Sequence, residues 1–342
     1  MCGITGFISS ELDGINLKEM VSSIKHRGPD SDGYFYNSNF KLGLGHRRLS
    51  ILDVSKSANQ PMTSHCGRYT MVYNGEIYNF KEISESLNRN WRTNSDSEVI
   101  LEAYVEYELQ FVNKLNGMFA IAIYDQYEKK LILTRDRMGI KPLYYYFNNK
   151  EIIFSSELKS IKKAISLKIN FNSISSYLHL GYIPKNETFY EKTFKFPSGS
   201  VGVFENNTLE IKPYWSIEKK IKKHTIKDFD DAKEKLTNEI NKSVNYRLIS
   251  DVPLGCFLSG GIDSSLIAAI AQKNSSKPID TFSIGFEESK YNEIQYANNV
   301  AKALNTNHHE FILSESDALE YIDDVMLNFD QPFLDSSAIP TY

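Results

Sequence analysis

The chain has 342 residues, a length that exceeds one ordinary hydrophobic core and predicts two domains. Apolar residues make up 41% of the chain, which is enough for a sizeable core and excludes a disordered polypeptide. The net charge is only −4, with acidic and basic residues interspersed, so we expect no nucleic-acid-binding surface.

The N-terminus lacks the basic and apolar regions of a signal peptide, and no apolar run has the roughly 18 residues of a membrane span. The 3 cysteines show no C-x-x-C spacing, so neither a disulfide framework nor a zinc site is expected. Together these features predict a protein of the reducing cytoplasm that has no membrane partner.

The first two hundred or so residues predict strands in runs with helices between them. A strand over 68–73 should end at the turn dipeptide Asn74-Gly75, and hairpins should join 119–124 to 130–134 and 144–147 to 151–154. A helix should follow Ser95, because Glu98 stands at capping-box spacing from it. This pattern indicates an α+β layered domain over residues 1–215.

The composition changes near residue 216. Residues 216–228 are rich in lysine and predict a solvated linker. A helix over 229–248 should follow, with Phe229, Ala232, Leu236 and Ile240 on one face. A buried strand over 253–258, a glycine turn, a helix over 264–272 and a strand over 281–284 then predict the start of a doubly wound α/β domain over residues 229–342.

Cys2 is the first candidate for chemistry. Methionine is usually trimmed before a small residue, which would leave Cys2 with a free α-amine whose pKa of roughly 7.7–8.0 lets it act as a base. Thiol and base would then belong to one residue. Taken alone, Cys2 could equally be a small buried residue on a first strand.

Four motifs follow Cys2 in a fixed order and weaken that alternative. They are His-Arg-Gly-Pro-Asp at 26–30, His-Arg-Arg-Leu-Ser-Ile-Leu-Asp at 46–53, Asn-Gly-Glu-Ile-Tyr-Asn at 74–79, and Ser-Asp-Ser-Glu at 95–98. From Cys2 to about Trp215 the sequence resembles the class II glutamine amidotransferases, whose glutaminase domain is an αββα N-terminal nucleophile hydrolase. Within that class it is most similar to the glutamine-dependent asparagine synthases.

The resemblance implies a role for each motif. Arg48 would bind the glutamine carboxylate, as a guanidinium suits that group, and Glu76 and Asp96 would bind its ammonium. The Asn74 side chain and the Gly75 backbone N–H would stabilise the oxyanion formed at Cys2. The remaining glutamine-binding positions implied are Leu49, Ser50, Ile51 and Leu52. The segment 135–145 also resembles the family, and we expect buried Arg–Asp pairing beside its turn to give it a structural role.

A glycine loop lies between the strand over 253–258 and the helix that follows it. Glycines and a helix N-terminus favour anion binding, and serine hydroxyls add donors. The loop is not a Walker A motif and resembles the pyrophosphate-binding loop of the ATP pyrophosphatases. The ATP-binding positions predicted are Leu258, Ser259, Gly260, Gly261, Asp263, Ser264, Ser265 and Ile284, of which the resemblance places Leu258 and Ile284 against adenine. Asp263 would hold Mg²⁺, because hard cations prefer oxygen ligands.

For the asparagine synthases the implied chemistry joins both sites. Glutamine gives ammonia through a glutamyl thioester at Cys2, ATP converts aspartate to an acyl-adenylate, and ammonia displaces AMP. The sequence stops at Tyr342, whereas the synthases it resembles continue to a later S-G-x-G-x-D-E stretch and a catalytic lysine. We therefore expect either a piece of a longer protein or a chain that does not complete the synthetase reaction.

Two other functions stay open at this level. The acceptor could be another carboxylate, such as a sugar acid, since the acceptor pocket is mostly outside the sequence. Alternatively the chain could be a glutaminase alone, or a regulatory module without ATP chemistry. A homodimer is compatible with all three functions.

Overall fold

The computed structural model describes residues 1–9, 15–221, 225–288, 292–332, 334–335 and 337–342. It divides into two compact units, Met1–His224 and Thr225–Tyr342. None of the helices in these ranges combines the length and the apolar character that a bilayer-spanning helix requires.

The first unit contains twelve strands and six α-helices in its described part. The strands are β1 (Gly3–Ile8), β2 (Ser31–Asn37), β3 (Leu42–Arg48), β4 (Met62–Thr63), β5 (Tyr69–Ile77), β6 (Gly117–Asp125), β7 (Lys130–Arg135), β8 (Tyr144–Phe147), β9 (Ile152–Ser155), β10 (Thr193–Lys195), β11 (Ser200–Glu205) and β12 (Thr208–Pro213). The helices are α1 (Leu17–Ser23), α2 (Phe80–Leu87), α3 (Asp96–Tyr107), α4 (Leu158–Ala164), α5 (Phe171–Leu180) and α6 (Ile217–Ile221).

These strands form two antiparallel six-stranded sheets, in the orders β10-β8-β9-β1-β3-β2 and β12-β11-β7-β6-β5-β4. Between the sheets lies an apolar core that includes Ile4, Leu44, Val72 and Leu133. Helices α1 and α4 contact the first sheet, and α3, itself in contact with α2, contacts the second sheet. The resulting layers form the αββα sandwich that the sequence predicts, and burial of both sheet faces stabilises them.

The second unit has a three-stranded parallel sheet in the order β13-β14-β15. Its elements are α7 (Phe229–Arg247), β13 (Gly255–Phe257), α8 (Ile262–Asn274), β14 (Asp280–Phe286), α9 (Ile294–Leu304), β15 (Asn307–Leu313), α10 (Glu315–Asn328) and α11 (Ala338–Thr341). Parallel strands joined by helices are the α/β arrangement that the sequence predicts, and the carboxyl ends of such strands carry ligand sites.

Both predicted hairpins of the first unit form, as the pairs β6–β7 and β8–β9. The turn predicted at Asn74-Gly75 is wrong. Both residues lie inside β5, because they pair with Ala120 and Phe119 of β6. A Cβ on Gly75 would lie 2.2 Å from the Met118 carbonyl oxygen, so the close approach of β6 requires glycine there.

The capping box predicted at Ser95 is also absent from the described structure, although Ser95 does cap α3. Its hydroxyl accepts from the Ser97 backbone N–H, one residue earlier than the box requires. The Glu98 carboxylate instead accepts from the backbone N–H groups of Arg92 and Thr93, at 3.0 and 2.8 Å. Those contacts hold the loop that leads into α3.

The Arg–Asp pairing predicted in the segment 135–145 is not among the ion pairs of the described residues, which join Asp136 to neither Arg135 nor Arg137. Asp136 accepts from backbone N–H groups, including that of Lys141 at 3.0 Å. Arg135 donates to the carbonyl oxygens of Gly139, Lys141 and Phe196. Each side chain therefore stabilises the turn through the backbone, where the buried polar groups need partners.

Two predictions for the second unit need correction. The predicted apolar face of α7 is only partly buried, since Phe229 and Leu236 are 77% and 60% exposed. The strand predicted over 253–258 is shorter, and the Phe257 side chain on this edge strand is 84% exposed. Residues 222–224 of the predicted linker lie outside the described residues, and α6 occupies its first part.

Candidate active site

Cys2 lies immediately before β1 and contacts the loop that follows β3. The Leu49 backbone N–H donates to Cys2 Sγ at 3.4 Å, and the thiol donates to the Leu49 carbonyl oxygen at 3.6 Å. Arg27 Nε donates to the carbonyl oxygen of Cys2 at 3.0 Å. The sulfur and the backbone of Cys2 are therefore both fixed by neighbouring segments.

Burial controls the protonation of Cys2. It raises the pKa of the thiol, and the hydrogen bond from Leu49 opposes that effect. Burial also lowers the pKa of the Met1 α-amine, which is the terminal amine while Met1 is in place. At neutral pH the sulfur is therefore a thiol, and it requires a base before it can act as a nucleophile.

Asn74 carries an unusual donor on β5. The residue is 1% exposed, and its Nδ2 has no hydrogen-bond partner within the described part of the chain. Leaving a buried amide donor unpaired costs about 1–3 kcal/mol. An unpaired buried group in a folded protein calls for an explanation, and a ligand oxygen that accepts the bond would supply one.

Two carboxylates meet at the same cleft. Asp96 begins α3, and its Oδ2 accepts from the Tyr73 hydroxyl at 2.8 Å and from the Ile77 backbone N–H at 3.0 Å. Burial raises the pKa of both Asp96 and Glu76, and the neighbouring Asp96 helps to raise that of Glu76 to about 8. A bound cation would favour ionisation of both groups, so the pair suits a ligand ammonium.

Lys141 is the nearby cation that the sequence analysis missed. Its side chain is 6% exposed, and burial lowers the pKa of its ammonium while the Glu76 carboxylate acts to raise it. The sequence predicts a structural role for the segment 135–145, which contains Lys141. The residues next to Lys141 in the sequence do not indicate that the Glu76 carboxylate, which is distant in sequence, lies near it in the fold.

Arg48 stands at the end of β3, where the sequence predicts a carboxylate-binding residue. Its guanidinium donates to the carbonyl oxygens of Ser55 at 2.7 Å, Leu52 at 3.3 Å and Asp53, and to Asn59 Oδ1 at 2.7 Å. In this structure Arg48 therefore holds the loop beyond β3 in place. A substrate carboxylate would have to share or displace those contacts.

The cleft brings most of the predicted residues together. Its lining includes Cys2, Arg48, Leu49, Ile51, Leu52, Gly75, Glu76 and Asp96. Predicted Ser50 is not part of this lining, and its backbone N–H contacts Asp30 Oδ2 at 2.7 Å instead. Predicted Asn74 is also outside the lining. The lining residues that sequence reasoning missed are Gln60, Tyr73, Ser95 and Ser97.

In the second unit, the predicted glycine loop joins β13 to α8. Gly260 has φ +80°, and a Cβ there would lie 2.5 Å from the Ala297 backbone nitrogen, so only glycine fits. The Ser264 hydroxyl lies 3.0 Å from that of Ser259 and donates to the Gly261 carbonyl at 3.3 Å. The loop is thus closed on itself ahead of the helix N-terminus.

Other predicted ATP-binding residues differ in their exposure. Leu258 is buried, Ile284 is 39% exposed on β14, and Asp263 is exposed in the first turn of α8. The buried Ser265 hydroxyl oxygen lacks a hydrogen-bond partner among residues that the structure describes. Across the same residues, no group of three or more His, Cys, Asp or Glu side chains is arranged to hold a metal ion.

Two protein families match separate stretches of this chain. Residues 1–215 match a glutamine amidotransferase domain family, and residues 235–342 match an asparagine synthase family. A putative glutamine-hydrolysing asparagine synthetase 2 from Methanocaldococcus jannaschii is 40% identical, over 100% of this chain and 70% of its own length. This chain belongs to the glutamine-hydrolysing asparagine synthetase family.

Other members of the asparagine synthetase family are longer. Asparagine synthetase 1 of Bacillus subtilis is 35% identical over all of this chain, which spans 55% of that protein's length. Among solved structures, an allosteric regulatory enzyme of purine biosynthesis aligns with 99% of this chain and 90% of its own, at 13% identity and a TM-score of 0.49. The αββα assignment rests on sheet order and layering, not on that overlap.

Proposed function

We propose that this chain is a glutamine-hydrolysing asparagine synthase in which Cys2 releases ammonia from glutamine. The observation that carries the proposal is the cleft itself, which is lined by Cys2, the buried Asp96 and the partly buried Glu76, while the unpaired Asn74 amide belongs to β5, the strand that carries Glu76. A thiol nucleophile, an ammonium site and an oxyanion donor are the three groups that hydrolysis of an amino-acid amide requires.

The first step needs Met1 to be removed. The freed α-amine of Cys2 takes the thiol proton, and the sulfur attacks the carboxamide carbon of glutamine. Asn74 Nδ2 and the Gly75 backbone N–H then donate to the oxyanion. The amine returns its proton to the leaving nitrogen, so that ammonia departs and a glutamyl thioester remains. Water hydrolyses the thioester, which yields glutamate and restores the thiol.

The two charged groups on the α-carbon of glutamine, its ammonium and its carboxylate, would orient the substrate. Asp96 and Glu76 would bind the ammonium, and Arg48 would bind the carboxylate through its guanidinium. The loop residues Leu49, Ser50, Ile51 and Leu52 would enclose the chain of the substrate. The common lining of the cleft, which includes all of these residues except Ser50, and the raised pKa values of its two carboxyls support this assignment.

The second site would activate the acceptor. Ser259, Gly260, Gly261, Ser264 and Ser265 would hold the phosphates of ATP, with Leu258 and Ile284 against the adenine. The buried Ser265 hydroxyl oxygen, which has no hydrogen-bond partner among the described residues, could donate to a phosphate oxygen. Asp263 would contribute one carboxylate to Mg²⁺, which neutralises the pyrophosphate when it is bound.

Aspartate is the proposed acceptor, and its carboxylate oxygen would attack the α-phosphorus of ATP. Pyrophosphate leaves, ammonia attacks the acyl carbon of the adenylate, and AMP leaves as the amide of asparagine forms. The chain spans 55–70% of the length of the two relatives described above, so the complete reaction is inferred for the family's full length.

We also propose that residues 1–215 and 229–342 are the two domains of this chain. We propose a cytoplasmic location, and the proposed function is compatible with a homodimer.

The decisive experiment supplies the purified chain with glutamine, ATP, Mg²⁺ and aspartate, and measures glutamate, AMP and asparagine. Intact mass must first show that Met1 has been removed, and Cys2→Ala serves as the control. Glutamate that disappears in Cys2→Ala supports the glutaminase. AMP formed with aspartate but not with sugar acids supports the acceptor. Absence of glutamate from a correctly processed chain would refute the proposal.

A further inference from the structure

Tyr73 lies at the junction of several contacts in the candidate site. It is 2% exposed, and its backbone N–H donates to Gln60 Oε1 at 2.6 Å. Its carbonyl oxygen lies 3.1 Å from Nε2 of His46, a fully buried histidine on the facing sheet. Because burial lowers the pKa of His46 to about 3, the imidazole is neutral and can donate that hydrogen bond. The backbone of Tyr73 is therefore held from both sides.

The side chain of Tyr73 acts on Asp96. Its hydroxyl donates to Asp96 Oδ2, which also accepts from Ile77. The other oxygen, Oδ1, accepts a long hydrogen bond from the Ser95 hydroxyl at 3.4 Å, and the Ser97 backbone N–H also donates to this carboxylate. With Oδ2 occupied by two donors, the orientation of the carboxylate is set and Oδ1 keeps its capacity for a ligand.

We propose that Tyr73 is a positioning residue that makes the cleft selective for substrates with an α-ammonium group, by fixing the Asp96 carboxylate toward that group. This inference rests on the proposed glutaminase function. It adds the residue that sets the discrimination, which the sequence motifs around Tyr73 do not identify.

The Tyr73 hydroxyl remains a hydrogen-bond donor to Asp96 at every working pH. Burial, and then the Asp96 carboxylate, raise the pKa of the Tyr73 hydroxyl well above its usual value, so the group stays protonated throughout the working pH range. A hydrogen bond to a buried carboxylate is directional and stronger than one between neutral groups. Loss of the hydroxyl would leave the Ile77 backbone N–H as the donor to Oδ2, so that Asp96 would rotate or take up a proton more readily.

The test compares two amides, glutamine and 4-carbamoylbutanoate, which is glutamine without its α-amino group. Both present the same carboxamide to Cys2. The kcat/KM for glutamine divided by the kcat/KM for 4-carbamoylbutanoate therefore measures recognition of the ammonium. Tyr73→Phe in the processed full chain should lower that ratio about tenfold, the usual scale of one charge-assisted hydrogen bond, mainly through the KM for glutamine.

A matched control is available in Tyr124, also buried at 1% exposure, whose hydroxyl makes no hydrogen bond with any described residue. Tyr124→Phe removes the same atom from the core between the sheets and should leave the ratio unchanged. If the wild-type chain is active and Tyr73→Phe has the same ratio as the wild type, the inference about Tyr73 is overturned and the glutaminase proposal stands. A wild-type chain that hydrolyses neither amide would overturn the glutaminase proposal together with it.

A double variant keeps the test usable if Tyr73→Phe does not fold. Adding Asp96→Asn removes the buried charge that would otherwise lack its donor, so the double variant avoids that cause of unfolding. Its ratio should equal that of Asp96→Asn alone, since Tyr73 acts only through the carboxylate. A further fall below the Asp96→Asn value would show that Tyr73 acts by another route, and would contradict the inference.

Discussion

Arg27 binds the backbone of the candidate nucleophile, since its Nε lies 3.0 Å from the Cys2 carbonyl oxygen and donates to it. The other end of the same guanidinium donates to Glu157 Oε1 at 2.8 Å, and His26 Nε2 lies 3.0 Å from that oxygen. Burial acts to raise the pKa of Glu157, but the His26 and Arg27 hydrogen bonds outweigh it and hold the pKa at about 2. Glu157 therefore stays ionised and anchors Arg27 against Cys2.

Glu157→Gln should weaken this anchor. We expect the free energy of unfolding at pH 7 to fall by about 3 kcal/mol, because a largely buried guanidinium loses its counter-charge. Displacement of Cys2 should also lower kcat for glutamine roughly 10-fold to 100-fold. Urea unfolding and glutamate release measure the two effects, with exposed Glu205→Gln as the control. An unchanged kcat in a folded variant would separate Glu157 from catalysis.

The pH dependence of that variant has a definite sign. The folded-state pKa of Glu157 is depressed below its usual 4.5, so its ionic contribution is present above that pH and is lost as pH falls toward 2. The stability difference between the wild type and Glu157→Gln should therefore shrink as the solution is acidified from pH 5. A constant difference over that range would argue against the ion pair.

Sequence reasoning located the motifs but not the contacts between them. Arg48 and Asp96 could be predicted as glutamine-binding residues because each lies in a short motif whose order and spacing resemble one family, and the structure places both in the lining of one cleft. Gln60 and Tyr73 could not, since their roles come from hydrogen bonds that only the folded strands create. The turn expected at Asn74-Gly75 failed for the same reason, as local preference gave way to pairing with β6.

The unpaired amide of Asn74 gives the most direct prediction about catalysis. Asn74→Ala should lower kcat for glutamine by roughly 100-fold to 1,000-fold, the usual effect of losing one oxyanion donor, while KM changes little. The melting temperature should change far less than for other buried polar residues, because Nδ2 has no partner to lose among the described residues. Steady-state glutamate release and thermal unfolding test both parts. A large rise in KM with unchanged kcat would place Asn74 in binding instead.

The paired carboxylates predict how stability without ligand depends on pH. The pKa of Glu76 rises from its usual 4.5 to about 8, so the folded state holds a proton that the unfolded state releases. The contribution of the Glu76 carboxyl to the free energy of unfolding is fully present below about pH 4.5 and is lost as pH rises toward 8. Glu76→Gln should therefore stabilise the ligand-free protein at pH 8 relative to pH 5. Glutamine should reverse that advantage, and thermal unfolding with and without glutamine would show it.

Ser265 tests the second site independently of the first. Its buried hydroxyl is unpaired among the residues that the structure describes, so Ser265→Ala removes no internal hydrogen bond. We expect unchanged or slightly greater stability, because an unsatisfied polar group is lost. The affinity for ATP should nevertheless fall about 5-fold to 10-fold, since one hydrogen bond to a phosphate oxygen disappears. Calorimetric titration of ATP with Mg²⁺ into both proteins measures the change, with Ser275→Ala, beyond the far end of α8, as the control. Equal affinities would remove Ser265 from the ATP site, whereas a loss of stability without a loss of affinity would assign the hydroxyl a structural role.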